Sequence, residues 1–296
     1  WINEITDIAP GITINLLENL GNKFRGDLAT LEIPEGSFSV MKVEGFEKLG
    51  FTDETYNDIR DELEDIITDF NTQTSKRDKA KITEDILTTV GRAIRGTTEE
   101  RTFEDMGFDF LVLDEAHIYK NLFVGARMKK GEGNEYKNIR GGTSSKRATK
   151  AFFATQYVLK KNKNRNVVLL TATPFTNSPL EYYSMLSFMA RGRLRALGMN
   201  NVNDFMTAFM DLTTIFKVKH NQSVVEEDVV ERFRNANELR KLIGEFFDFK
   251  SGDELDVVRP KKISKQFFED PNQEQLDYFR AAEAIANSPN AGTLRY

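Results

Sequence analysis

The sequence predicts an α/β fold in which helices flank a parallel sheet. Two apolar runs without polar alternation, at residues 110–113 and 167–170, are typical of strands buried on both faces of such a sheet. Apolar residues at helical spacing surround these runs, for example between Ala148 and Leu159. A polar motif directly follows each run, and ligands bind at the carboxyl ends of strands in parallel α/β sheets.

The composition restricts the class of protein. The chain has 296 residues with 40% hydrophobic content, which is ordinary for one or two soluble domains. No run approaches the roughly 18 apolar residues that a membrane span needs, so we expect no membrane partner. There are no cysteines, which excludes disulfides and thiolate zinc sites, and the presence of only two histidines, His117 and His220, argues against a multi-histidine metal site. The net charge of -5 still permits a local basic groove.

The first third of the chain predicts two short strands followed by a helical insertion. GITINLL (residues 11–17), preceded by the end of a helix, and SFSVMKV (residues 37–43) are the two strands. Residues 52–97 carry two helical apolar patterns separated by a polar turn, which predicts a helical hairpin.

The rest of the chain predicts mainly helices. Ala148 to Leu159 forms one helix, and residues 181–249 have a mostly helical pattern. RPKK (residues 259–262) predicts a linker, ISKQFFE (residues 263–269) a strand, and the residues from Asn272 a final helix.

The residues after the first buried run can support phosphoryl transfer. Asp114 directly follows Leu113, so its carboxylate can reach a magnesium ion, and Glu115 can orient and deprotonate a water molecule. His117 lies two residues further, where it can contact a neighbouring segment. An Asp-Glu pair is also favoured in the first turn of a helix, which is the alternative interpretation.

A second motif, Thr171-Ala172-Thr173-Pro174, ends the other buried run. Its hydroxyl groups could bond to the DEAH segment. On its own the motif could be a simple threonine–proline turn. Two such strand ends in this order make a shared active site the better interpretation.

These motifs resemble those of superfamily-two helicases, specifically the Swi/Snf-like DNA translocases. The similarity rests on three strings: DEAHIYKN (residues 114–121), TATPFTNSPLEYYSMLSF (residues 171–188) and RPKKISKQFFEDPNQEQLDYF (residues 259–279). The helical insertion and the long segment between the motifs are similar to those of Swi/Snf-like helicases carried by bacteriophages and mobile elements.

The resemblance implies roles for single residues. Asp114 would bind the Mg²⁺ of MgATP, and Glu115 would be the catalytic base. His117 would couple the ATP state to lobe movement together with Thr171 and Thr173. The protein would move on duplex DNA in the cytoplasm of a bacterial or phage-infected cell.

The resemblance also implies a domain organisation. Residues 1–190 would form a partial RecA-like lobe one, with the helical insertion at 52–102 and a basic loop at 124–150. Residues 191–258 would be a helical connecting region, and residues 259–296 the start of a second RecA-like lobe.

The sequence contains no GxxxxGK[ST] phosphate loop. In the family that loop precedes the DEAH motif, so we expect it before Trp1, in a longer polypeptide with further domains. The arginine motif of the second lobe is also absent. Such an arginine increases the rate of ATP hydrolysis by a factor of about a thousand or more. We therefore expect the 296 residues alone to be inactive as an ATPase.

A nucleic-acid contact is predicted in the basic segment at residues 127–150, where eight basic residues accompany two acidic ones. Phosphate contacts give affinity without sequence preference, as a translocase requires. The candidates are Lys129, Lys130, Arg140, Lys146 and Arg147. A solvated loop is the alternative interpretation.

Three other functions remain open. A DEAH-type RNA helicase fits the DEAH string but not IYKN or the segment after TATP. A non-catalytic scaffold derived from a helicase lobe would need neither a phosphate loop nor a second lobe. A metal-dependent nuclease would use Asp109 with Asp114 and Glu115, but Asp109 and Asp114 are five residues apart, which places them on opposite faces of a strand.

Overall fold

The structure is a computed structural model that describes residues 1–17, 32–67, 88, 90, 91, 94, 101–122, 145–174, 180–218, 224–250, 254 and 263–286. Its helices, in chain order, are α1 (Ile2–Ile8), α2 (Val43–Phe46), α3 (Asp53–Ile67), α4 (Lys146–Lys161), α5 (Leu180–Met189), α6 (Arg191–Ala196), α7 (Val202–Phe209), α8 (Ala236–Gly244) and α9 (Gln273–Ala286). Short 3₁₀ helices cover Glu104–Met106 and Ala116–Tyr119. The strands are β1 (Ile14–Leu16), β2 (Phe38–Val40), β3 (Leu111–Leu113), β4 (Val167–Leu169), β5 (Met210–Val218) and β6 (Val224–Phe233).

The described strands pair two by two. β1 pairs with β2, and β3 pairs with β4, both in parallel. The β3–β4 register places Val112 opposite Val168, so the two motifs lie at the same edge of this pair. The parallel pairing predicted from the apolar runs is therefore confirmed. Within the described residues the pairs are separate, and a complete RecA-like sheet stays a prediction.

Helix α4 forms the centre of the core. Ser145 caps its first turn by accepting a hydrogen bond from the Ala148 backbone N–H at 3.0 Å. The helix is rich in alanine and phenylalanine, and it packs against α3, α5, β3 and β4. It begins two residues before the predicted start, so Lys146 and Arg147 belong to its first turn and not to the preceding loop.

An aromatic cluster joins α3 to α4. Phe153 of α4 stacks on Tyr56 of α3, with the ring centroids 6.1 Å apart, and also contacts Phe51. Phe51 packs in turn against Phe103 at 5.4 Å. Offset and edge-to-face aromatic pairs of this kind stabilise a core beyond their buried area.

The structure describes helical residues in both halves of the predicted helical hairpin. Its first arm is α3, and residues 88, 90, 91 and 94 of the second arm are helical. Val90 and Ile94 are buried, and the Ile94 carbonyl accepts a hydrogen bond from the Phe51 N–H at 3.1 Å. The second arm therefore packs back onto the same core.

The mostly helical pattern predicted for residues 181–249 is wrong in its middle. β5 and β6 form a long antiparallel hairpin there, with a register shift between Asp211 and Leu212. The sequences TTIFKV and VVEEDVV are rich in β-branched residues, which favour strands. The polar residues between them are a turn signal that a helical interpretation overlooks.

Two smaller strand predictions also need correction. Val112 and Val168 are 41% and 37% exposed, so β3 and β4 are not buried on both faces in the described structure. Helix α4 covers the other face, towards which Leu113 is directed. Residues 263–269 form no strand, and the exposed Phe267 and Phe268 have no core to pack on among the described residues.

The predicted final helix is confirmed as α9. Asn272 precedes it, and its side-chain oxygen accepts from the Gln275 backbone N–H at 2.8 Å. The Gln275 side chain accepts from the Asn272 N–H at 3.0 Å in return. This reciprocal capping explains why the helix starts where it does.

Candidate functional site

The DEAH segment turns sharply away from the end of β3. The Leu113 carbonyl accepts from the Leu170 N–H at 2.9 Å, and the Ala116 N–H donates to the Leu170 carbonyl at 2.8 Å. These two bonds fix the turn to the end of β4. Asp114 and Glu115 lie between them and are exposed, while Ala116 is buried. Both carboxylates are therefore held at the open edge of the sheet.

Glu115 has an unusual backbone conformation. Its φ of 49° and ψ of 45° lie in the left-handed region, which costs a non-glycine residue free energy. The Asp114 Oδ1 accepts a hydrogen bond from the Glu115 N–H at 2.9 Å and supports this turn. The Glu115 carboxylate contacts His117, which lies in the 3₁₀ helix that follows.

His117 connects the two motifs directly. Its Nδ1 lies 3.2 Å from the Thr171 Oγ1, across 54 residues of sequence, and 3.2 Å from the Glu115 Oε2. A tautomer with the proton on Nδ1 can donate to either oxygen. Thr171 also accepts from the Thr173 N–H at 3.2 Å. The sequence predicted that the threonine hydroxyls could bond to the DEAH segment, and Thr171 makes such a contact.

Trp1 is a contact that the sequence did not predict. Its indole N–H donates to the Asp114 Oδ2 at 2.7 Å. The two residues are 113 positions apart, and no sequence pattern links them. The bond occupies one of the acceptor positions on a carboxylate that the sequence predicts to bind a metal ion.

A buried ion pair joins the segments that follow the two motifs. The Lys120 Nζ lies 3.0 Å from the Glu181 Oε1, and the two side chains are only 16% and 7% exposed. The Ser184 hydroxyl donates to the Lys120 carbonyl at 2.5 Å. Lys120 and Glu181 belong to the strings that carry the family resemblance, but nothing in the sequence shows that they meet.

The predicted nucleic-acid contacts lie in different environments. Lys146 is exposed at the start of α4. The Arg147 Nε donates to the Glu47 carboxylate, which raises the pKa of this half-buried guanidinium. The other three, Lys129, Lys130 and Arg140, lie outside the described residues.

Asp114 provides one carboxylate of the kind that magnesium sites use together with phosphate oxygens. Mg²⁺ in phosphoryl-transfer sites is usually held by one or two carboxylates, water and phosphate oxygens. The exposed Asp114 supplies one such carboxylate. Among the described residues no group of three or more histidine, cysteine, aspartate or glutamate side chains is arranged to hold a metal ion. In the same part of the chain, no helix has the length and apolar character of a membrane span.

Comparison with known proteins agrees with the motifs. A family model described as a probable helicase domain matches residues 39–251, which is more than half of the chain. The chain is also 30% identical over 200 residues to the Defense against restriction protein B of Escherichia phage P1. That alignment covers 64% of this chain and 9% of the phage protein. No solved structure matches the chain.

Proposed function

The chain belongs to the family of probable helicase domains, and from this premise we propose that it is part of an ATP-dependent DNA translocase of the Swi/Snf-like class. The observation that carries the proposal is the contact between His117 and Thr171, which joins the DEAH and TAT motifs at one edge of a parallel strand pair. A helicase domain uses a nucleotide in general. The proposed motor hydrolyses MgATP, moves on duplex DNA and works in the cytoplasm of a bacterial or phage-infected cell.

The side chains at the end of β3 can divide the chemistry of ATP hydrolysis between them. Asp114 would bind Mg²⁺, which neutralises charge on the phosphate oxygens when bound. Glu115 would accept a proton from the attacking water at a carboxylate oxygen. Its side chain is 63% exposed, so water can reach it. His117 contacts Thr171 in the TAT segment. Through this contact it would couple the presence of ATP or its products to the position of Thr171 and Thr173.

The phage relative supports DNA as the track. Its name places that protein in defence against restriction. The chain spans 9% of the length of the phage protein.

Breaking the His117–Thr171 contact should weaken the coupling between DNA binding and ATP hydrolysis. We expect Thr171→Val and His117→Ala, each in the full-length protein, to lower DNA-stimulated ATP hydrolysis about tenfold, within the usual range of coupling between sites. The loss in the double variant should be smaller than the two single losses combined, because both changes remove the same bond between His117 and Thr171. Thr214→Val, on β5, is the matched control. Additive losses, or unchanged stimulation in both single variants, would show that this contact does not carry the coupling.

Lys146 offers the cleanest test of the predicted DNA contact, because Arg147 already pairs with Glu47. We expect Lys146→Glu to weaken duplex binding by the full-length protein. The slope of log affinity against log salt should become shallower by about one unit for each phosphate that the protein no longer neutralises. Lys241→Glu on α8 makes the same change of charge at another exposed position and should leave the slope unchanged. Equal slopes for the wild type and Lys146→Glu would remove Lys146 from the interface.

A further inference from the structure

The Lys120–Glu181 pair lies next to the candidate site but does not belong to it. Lys120 follows the 3₁₀ helix Ala116–Tyr119 directly, and Glu181 is in the first turn of α5. The ammonium and the carboxylate approach to 3.0 Å, and both side chains are largely removed from water. Ser184, one turn further along α5, donates to the Lys120 carbonyl. Residue 120 is therefore attached to α5 through both its side chain and its backbone.

A buried ion pair contributes little net stability to a protein, so its presence indicates another role. The desolvation of two charges offsets most of their attraction, so an apolar pair of similar size is often as stable or more stable. What a buried pair does supply is a fixed geometry, because its hydrogen bonds are directional. A pair at this position therefore suits a role in placing the helix that carries it.

The 3₁₀ geometry connects this pair to the site. Such a helix has three residues per turn, so residues three apart lie on the same side. His117 and Lys120 are three apart, and the Lys120 N–H donates to the His117 carbonyl at 3.4 Å. His117 contacts Thr171, which follows β4, and Lys120 contacts Glu181 on the helix after it. The short helix is thus held at both ends by the segments that follow β4.

We propose that Lys120, Glu181 and Ser184 are positioning residues, which hold the helix Ala116–Tyr119 so that Glu115 and His117 keep the geometry needed for ATP hydrolysis. This inference rests on the proposed function. The Lys120 ammonium is paired with Glu181 and its side chain is only 16% exposed, so its charge is already directed to α5 and not to a phosphate or DNA. The three residues act on the chemical step through Glu115 and His117, so their loss affects kcat and leaves KM for ATP nearly unchanged.

The test uses the full-length protein and a variant that removes the charges in pairs. Lys120→Met with Glu181→Leu replaces the ion pair by apolar side chains and leaves no charge buried alone. We expect its thermal unfolding to match or exceed that of the wild type, while kcat falls about 10- to 100-fold, the effect expected of a small misplacement. The exchanged pair, Lys120→Glu with Glu181→Lys, restores the ionic contact and should recover part of kcat. Lys120→Met alone, which buries an unpaired carboxylate, should also lose stability.

A second readout does not depend on ATP hydrolysis. Hydrogen–deuterium exchange of the backbone at residues 114–120 should become faster in the apolar double variant, while exchange in α4 stays unchanged. Wild-type kcat together with wild-type exchange in that variant would overturn the proposal and leave the pair a structural contact only. If the turnover of the wild type does not exceed that of Glu115→Gln, the proposed function is wrong. In that case, unchanged exchange at residues 114–120 in the apolar double variant would also refute the positioning role.

Discussion

Replacing Glu115 with glutamine should abolish ATP hydrolysis by the full-length protein while MgATP binding persists. A glutamine amide keeps the size and shape of the side chain but cannot accept a proton from water. A positioned general base contributes about 10²- to 10⁴-fold to a rate, and we expect a loss in kcat of that size. Phosphate release at saturating ATP measures the loss, and binding of a slowly hydrolysed ATP analogue shows that the site remains intact.

The matched control is Asp109→Asn, which removes a carboxylate from an exposed residue just before β3. Its backbone carbonyl, which accepts from Asn162 and Asn166, is unaffected by the change. Asp109→Asn should keep wild-type turnover. Equal turnover in Glu115→Gln and the wild type would contradict the assignment of Glu115 as base. A loss in Asp109→Asn as large as in Glu115→Gln would favour a nuclease-like use of both aspartates.

Lys150 should have the largest effect on stability. Its side chain is fully buried in α4, and its ammonium donates to the carbonyls of Glu47 and Leu49, just after α2. Lys150→Ala leaves both carbonyls without this donor and opens a cavity. We expect the free energy of unfolding to fall by about 2 to 5 kcal/mol, from the unpaired polar groups and the poorer packing. Urea unfolding followed by circular dichroism measures the change.

The pH dependence of the same variant series tests why Lys150 matters. Burial, and then repulsion from Lys146, lower the pKa of Lys150 from 10.5 to about 7, while attraction to Glu47 opposes this. Between these two values the unfolded chain keeps its proton and the folded chain has lost it. Stability therefore rises with pH across this window, by at most about 1.4 kcal/mol per pH unit.

Lys150→Met is the matched control, since methionine fills similar space and does not titrate. The stability difference between the wild type and Lys150→Met should shift in favour of the wild type as the pH rises from 7 to 9. A difference that stays constant over this range would contradict the lowered pKa. Lys150→Met should also be far more stable than Lys150→Ala, because it opens a smaller cavity.

The strand ends could be predicted from the sequence because their signals are local. An apolar run of four residues followed by DEAH or TATP specifies a strand and the turn after it. The structure confirms that β3 and β4 are parallel neighbours. How much of each face is covered depends on what packs there, and this is set by residues far away. Val112 and Val168 are therefore half-exposed although their sequence predicts burial.

The β5–β6 hairpin and residues 263–269 were also predicted wrongly because distant residues decide their structure. The β5–β6 hairpin contains apolar residues that fit a helical pattern nearly as well as a strand, and cross-strand pairing decides between the two. ISKQFFE has the composition of a strand, but a strand also needs a partner, and none pairs with it in the described structure.

The contacts within the site were predicted in part. The order of the motifs brings Thr171 near His117, since the carboxyl ends of neighbouring parallel strands meet at one edge. The Lys120–Glu181 pair and the Trp1–Asp114 bond depend on where α5 and the start of α1 lie in the folded chain. These contacts join residues that are far apart in the chain, and no short motif encodes them.

The most direct test of a DNA-dependent motor is ATP hydrolysis by the full-length protein in the presence of Mg²⁺, measured without nucleic acid and with duplex DNA, single-stranded DNA or RNA of equal length. We predict that duplex DNA gives the strongest stimulation and that Glu115→Gln eliminates it. Stimulation by RNA alone, or turnover that never exceeds the Glu115→Gln level with any nucleic acid, would contradict a DNA-dependent motor built around Asp114 and Glu115.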